Sequence, residues 1–400
     1  MKAVFAALSL LAACEVYDAS LLVSSDASVD GSPESCATMC SGQCADLTSD
    51  KNNCGACGVA CETGCSGGLC TPTVLVSGLG GPHGILVHGS ELYVADHASI
   101  AVQEMSKIDG TGLKNFATSQ LFPDRLATDN TNLYWTDDAN ISTSPGGTIE
   151  FGNFDQTTDC AINGDAGFLY CYNLQYLPSP YGIAVQGTNT FVTTLDGTNN
   201  GPAPCAGLYV NAVVQCPTFG CNIANCTGSG GPNVIATGTK LASITADATN
   251  VYWADTGAHV INFCPQPSCT GGPKAFAQNL AEPFDVVSDG TNVLFTDRGS
   301  GTLYKCPTSG CNNAPTILTS SLTDPLLVAF DSKNAYVTSY SGGTIASCDM
   351  PSCASGVKII AKGLKAPYGV ALDDTYVYWS EEGSNGGINQ DGAVSKLKRQ

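Results

Sequence analysis

Four histidines, His83, His88, His97 and His259, are the only imidazoles in 400 residues. An imidazole close to a carboxylate or to a second imidazole can act as a general base or hold a divalent metal. His83 and His97 belong to one short segment, "PHGILVHGSELYVADH", so a fold can bring them together. Carboxylates recur in a second pattern. Asp96, Asp137, Asp255, Asp297 and Glu381 each close a strand-like run such as "NLYWTD", "NVYWAD", "NVLFTD" or "YVYWSE". A catalytic acid is needed once or twice at a defined spot. An acid repeated five times does the same local job each time, accepting backbone N–H groups and tying one unit to the next. The rival reading gathers these carboxylates around Ca²⁺ in a central channel. Neither a nucleophile elbow, an HExxH zinc motif nor a phosphate-binding glycine loop occurs.

The elements that must position these residues repeat. Aligned on the aromatic position, Pro82, Pro123, Pro180, Pro283, Pro325 and Pro367 each stand eleven residues before Tyr93, Tyr134, Phe191, Leu294, Tyr336 and Tyr378, and Leu241 takes the proline's place before Tyr252. Seven copies therefore align without a gap. After the proline comes a short apolar run such as "GILV", "GIAV" or "GVAL", which reads as a strand buried on both faces. A turn of the type "DNTN", "DATN" or "DGTN" follows, with Asp and Asn supplying side-chain caps. The aromatic strand, a third strand and a fourth complete each unit. Four antiparallel strands repeated radially predict an all-β fold, a seven-bladed β-propeller. The last copy stops after its third strand, and an orphan strand, "TPTVLVSG", precedes the first copy. Pairing the two closes the ring and removes both sheet edges.

That geometry places the turns on one face. The connectors into each blade and the loops after the aromatic strand lie on the other, which is where ligands are expected. Two columns vary there while the framework repeats: the residue after the proline and the residue after the acid. They nominate His83, His97, Asp124, Asp138, Tyr181, Phe284, Arg298, Tyr340, Tyr368 and Glu382 as a ligand-binding face, with Ala242, Leu326, Leu195 and Thr256 at the remaining positions. His259 maps to the same face and His88 to the turn face. No residue is nominated as catalytic.

The "YW-[TA]-D" strands resemble the YWTD propellers of receptor ectodomains, and the "P-x-G-[IV]" openings resemble NHL-type propellers. The resemblance covers about four-fifths of the chain and departs from the six blades usual in both families. Streptogramin lyases are also seven-bladed and use histidine, glutamate and a divalent metal at the central opening. Their motif is not evident here and no catalytic residue transfers by position, so a metal-assisted lyase or hydrolase at the channel is the alternative function.

The remaining features concern export. "MKAVFAALSLLAAC" has one lysine, an apolar run and small residues before Cys14, the layout of a secretory signal. "Leu11-Ala12-Ala13-Cys14" resembles the bacterial lipobox, which implies cleavage before Cys14 and lipid on that cysteine; Glu15 behind it points to the outer membrane or surface of a Gram-negative bacterium. The chain holds 21 cysteines; with Cys14 lipidated, 20 remain to pair in an oxidising compartment. Cys36 to Cys70 carries eight of them, too short a stretch for a core of its own, so four disulfides are expected rather than zinc. In the repeats, Cys216–Cys221, Cys264–Cys269, Cys306–Cys311 and Cys348–Cys353 share one spacing and are expected to staple hairpins, with Cys160 bonded to Cys171 and Cys205 to Cys226. The expected organisation is a signal peptide at 1–13, a lipidated tether at 14–35, a cysteine-rich module at 36–70 and the propeller at 71–400. A formal net charge of −19 with 16 Lys plus Arg argues against nucleic-acid binding. The function expected is noncovalent recognition or scaffolding of a protein, glycan or small ligand by a monomer held to the membrane through its lipid.

Overall fold

The computed structural model describes residues 38–138, 147–154, 160–161, 172–177, 179–195, 209–218 and 232–400. They fall into two compact units, one ending at Thr71 and the other running Pro72–Gln400. Cys14, Cys36, Cys171, Cys205, Cys221 and Cys226 lie outside the described residues, as does the side chain of Cys160.

In the first unit, two short hairpins, Met39–Cys40 with Gln43–Cys44 and Cys65–Ser66 with Leu69–Cys70, are held by the disulfides Cys40–Cys57, Cys54–Cys65 and Cys61–Cys70. Cys44 is also disulfide-bonded. The sulfurs of Cys54, Cys61 and Cys70 lie within 4.8 Å of one another. All three are committed to disulfides, so no thiolate is left to ligate zinc.

The second unit is a seven-bladed propeller of four-stranded antiparallel blades. Blade one opens with Pro82–His88 and blade two with Pro123–Thr128. Blades three to seven open with Pro180–Gln186, Leu241–Ala246, Pro283–Ser288, Pro325–Phe330 and Pro367–Leu372. Each opening strand packs on the next, and the seventh returns to the first. Thr73–Leu79 pairs antiparallel with Gly392–Lys398 and becomes the fourth strand of blade seven. Blade one gains a fifth, parallel strand, Cys160–Ala161, from the insertion in blade two. Trp135, Trp253 and Trp379 are fully buried between blades beside Tyr134, Tyr252 and Tyr378. Each such ring contributes about 2–3 kcal/mol by leaving water.

The repeated polar residues divide the framework work among three positions. Turn aspartates cap their own turns: Asp247 Oδ1 accepts the N–H of Thr249 at 2.8 Å and of Asn250 at 2.9 Å, and Asp129, Asp289, Asp331 and Asp373 do the same. The acids that end the second strands hold the connectors arriving from the preceding blade. Asp297 accepts from Ala281 N at 2.8 Å and Glu282 N at 2.6 Å, and Asp255 from Thr239 N at 2.9 Å and Lys240 N at 3.1 Å. Asp96, Asp137 and Glu381 each take one such bond, from Gly80, Leu121 and Lys365.

The tie across the inner ring is made one residue before the acid. Thr338 Oγ1 accepts from Leu327 N in its own blade (3.0 Å) and donates to the carbonyl of Tyr368 in the next (2.8 Å). Thr136, Thr193, Thr296 and Ser380 repeat this arrangement. Blades one and four carry Ala95 and Ala254 instead. The glycine two residues after the proline serves the same contact. A β-carbon on Gly84 would lie 2.5 Å from the Asp124 carbonyl oxygen, and one on Gly182 2.9 Å from that of Ala242, so only glycine admits so close an inner ring at these positions. Disulfides Cys264–Cys269, Cys306–Cys311 and Cys348–Cys353 each close the segment after a third strand. Cys216 is disulfide-bonded as well.

Candidate functional site

One backbone bond recurs in every blade and presents the variable side chains. The N–H of the residue after the acid position donates to the carbonyl of the residue before the opening strand: His97 to Gly81, Asp138 to Phe122, Leu195 to Ser179, Thr256 to Lys240, Arg298 to Glu282, Tyr340 to Asp324 and Glu382 to Ala366, all at 2.8–3.1 Å. The main chain is thus satisfied identically seven times while the side chain is left free to differ.

Both variable columns converge on the axis. The residues after the prolines point inward and close the channel instead of ringing an open mouth: His83, Asp124, Leu326 and Tyr368 are buried, and only Tyr181 and Phe284 remain partly exposed. The His83 ring lies parallel to that of Tyr368, 4.0 Å between centroids, and stacks on His97 at 4.5 Å. Tyr181 and Tyr368 meet through their hydroxyls at 3.2 Å. Around this plug stand the residues after the acids. Tyr340 donates its hydroxyl to Glu382 and packs edge-on to Tyr368. Arg298 binds Asp324 at 2.7 Å and covers the Phe284 ring at 4.9 Å. Thr256 turns to its own connector, donating to the Lys240 carbonyl at 3.0 Å. Leu195 is partly exposed. His259 lies apart, with Nδ1 2.8 Å from the Ala281 carbonyl, and His88 stacks on Phe154 at the turn end.

Electrostatics at the centre are set by His83. Its Nδ1 is 2.9 Å from Asp124, and its Nε2 is 3.4 Å from Glu382, an ion-pair separation without hydrogen-bond alignment. Burial alone would lower its pKa, but the two carboxylates outweigh burial and raise it to about 9. Asp124, which burial would raise, is held at about 2 by His83 and Arg125. Glu382 also falls below its ordinary value, since His83 and Tyr340 overcome its burial. His97 is lowered, first by burial and then by the neighbouring His83 cation. Asp138 is raised by burial and by Asp124. At neutral pH the stacked pair is one imidazolium and one neutral imidazole.

With His83 protonated, the charge pattern does not suit a metal at that residue. An imidazolium donates from both nitrogens and offers no lone pair, and His83 already fills the gap between the two carboxylates that a cation would take. Nor does the channel below fit Ca²⁺: Asp285 is the one carboxylate in its lining, where Ca²⁺ takes six to eight oxygens.

Three participants fall outside the two columns. Arg125 and Asp285 stand two residues after the opening position, where blades one, three and seven carry glycine, and Asp324 precedes its proline. The signal for the first two was a charge inside a strand otherwise buried on both faces, "PDRLAT" and "PFDVVS".

No family model matches the sequence, and no curated protein matches it. Solved structures are similar in fold. Virginiamycin B lyase from Staphylococcus aureus superposes with a TM-score of 0.57 at 14% identity, covering 82% of this chain and 98% of that one. A streptogramin B lyase gives 0.56 at 13%, covering 82% and 97%. A chain of Kuenenia stuttgartiensis hydrazine synthase gives 0.55 at 13%, covering 79% and 95%. At these identities the likeness is one of fold, the β-propeller.

Proposed function

We propose that this is an exported lipoprotein, anchored through Cys14 to the outer membrane or cell surface of a Gram-negative bacterium, whose propeller recognises a protein, glycan or small ligand noncovalently at the connector-side mouth. The observation that carries the reading is the recurrent backbone bond beneath seven different side chains. The frame is held constant while His97, Asp138, Arg298, Tyr340 and Glu382 vary around an aromatic plug. Partly exposed aromatic edges beside paired charges suit a polar, ring-bearing ligand. The lyase reading, prompted by the shared fold, needs a histidine that can accept a proton or bind a metal. A His83 pKa of about 9 works against both at that residue and leaves the role to His97, the neutral member of the pair.

Glycan and peptide arrays probed with the full chain test the recognition reading. A ligand should appear, and His97→Ala and Tyr340→Phe should each weaken it about tenfold or more while unfolding stays unchanged. A ligand indifferent to both substitutions, or turnover of a streptogramin dependent on Mg²⁺ and His83, would overturn the proposal. Fatty-acid labelling that persists in Cys14→Ala would remove the anchor from it.

A further inference from the structure

Below the plug the axis is hollow. A cavity of about 290 Å³ is lined by the opening strands of all seven blades and reaches Thr128, Val185 and Ala246 at their turn-side ends. None of the residues that follow the prolines lines it, so it is separated from the mouth and faces the opposite side of the disc. Its aliphatic side chains, Ile183, Ile244 and Val328 among them, share the wall with Thr128 and Thr245 toward the turn side and with Arg125, Ser243 and Asp285 beneath the plug.

Arg125 is the unusual member. Its side chain is about nine-tenths buried. A guanidinium in such a place normally meets a carboxylate through two parallel bonds. Here Nη2 donates to the Tyr181 hydroxyl at 2.7 Å, the Asp124 carboxylate is 4.0 Å from Nε and already engaged by His83, and Nε has no acceptor. The charge is held in position by the rings of Tyr181 and Tyr368, at 4.8 and 5.2 Å from Cζ. Asp285, lining the same cavity, is tied to the ring by accepting the Val328 N–H at 2.8 Å. Burial pushes its pKa up, against the pull of the Arg125 charge.

We infer that the channel binds a small carboxylate with an apolar body, entering from the turn face, its carboxylate on Arg125 and its hydrocarbon against the channel walls. The cavity holds a ligand of modest size. The site is independent of the mouth: it takes a different ligand from the other face, and either can exist without the other.

Hexanoate and hexanamide, equal in shape and different in charge, are titrated calorimetrically into the full chain. Hexanoate should bind, and the amide about tenfold more weakly or worse. Equal binding of the two, or none by hexanoate, overturns the inference. Arg125→Met should reduce hexanoate binding to the level of the amide; unchanged binding in a folded Arg125→Met protein also overturns it. Should that variant fail to fold, the hexanoate–hexanamide pair decides the matter without it. Tyr340→Phe should leave hexanoate binding as it was, and a loss there would move the ligand to the mouth and sink the channel site.

Discussion

The acid that ends the second strand and the residue behind it are neighbours in every blade, yet they behave in opposite ways. In blade five, Asp297 collects two connector N–H groups at 2.8 and 2.6 Å, whereas Arg298 reaches out over Phe284 to Asp324. The first position does framework work and the second faces the mouth. Blade two shows the limit of that rule. Asp137 takes a single connector bond, from Leu121 N at 3.1 Å. Across the strand pair stands Glu150, where blade five has Tyr304. Thr148 has one hydroxyl proton within reach of both carboxyls, at 3.3 and 3.2 Å, and one oxygen of each acid is buried without a partner. Burial lifts Asp137 to about 7, and burial together with Asp137 lifts Glu150. The residues directly opposite the two acids, Thr148 and Thr302, are alike, so a repeated residue type implies a repeated role only where the wider facing strand repeats too.

If the comparison holds, framework substitutions cost stability and mouth substitutions cost binding. The largest effect is expected from Asp297→Ala, which leaves two connector N–H groups without an acceptor; chemical denaturation should show a loss of about 3 kcal/mol. Next comes Thr338→Val, which keeps the shape but removes both bonds of the tie between blades six and seven, at about 2 kcal/mol. Losses below about 0.5 kcal/mol for both would break the distinction.

Glu150→Gln sharpens it in the other direction and should stabilise the protein by about 1 kcal/mol at pH 8. The sign follows from linkage. Asp137, with a native pKa raised to about 7, holds a proton that the unfolded chain has released by about pH 4, so native stability falls as pH rises between those values. Glu150, raised as well by burial and by Asp137, acts in the same direction until Gln replaces it. His83 acts in the same direction at higher pH. Its native pKa of about 9, against an ordinary 6.5, contributes stability that is complete below about 6.5 and lost as pH rises through about 9. Denaturation midpoints should therefore decline from pH 5 to pH 8 in the wild type and decline less in Glu150→Gln. A wild-type midpoint that rises over that range would refute the assignment. The smallest effect on stability, within about 0.5 kcal/mol, is expected from Tyr340→Phe, measured beside its loss of ligand binding.

Much of this was legible in order. The buried tryptophans, the turn aspartates and the orphan strand that completes blade seven are local or periodic features, and periodicity survives in a linear string. The acid's ability to accept backbone N–H groups was legible from its repetition. The assignment of the blade-to-blade tie to the hydroxyl before it was not, because Thr136, Thr193, Thr296, Thr338 and Ser380 find their second partner only in the adjoining blade. The variable columns were found by where the copies stop agreeing. Whether their side chains ring an opening or fill it depends on how near the axis the inner strands approach, and glycines such as Gly84 and Gly182 set that approach through contacts with the next blade.

By itself, then, the sequence determined seven four-stranded blades, their closure and the face on which variation collects. These follow from hydrophobic period, turn chemistry and repeat number, each satisfied within one copy or between consecutive copies. Only the tertiary structure decided which charges meet. His83 in blade one lies between Asp124 of blade two and Glu382 of blade seven, and Arg125 lies against the rings of Tyr181 and Tyr368 from blades three and seven. A ring brings residues hundreds of positions apart to one axis, and the Coulomb and desolvation energies that set their protonation depend on separation in space.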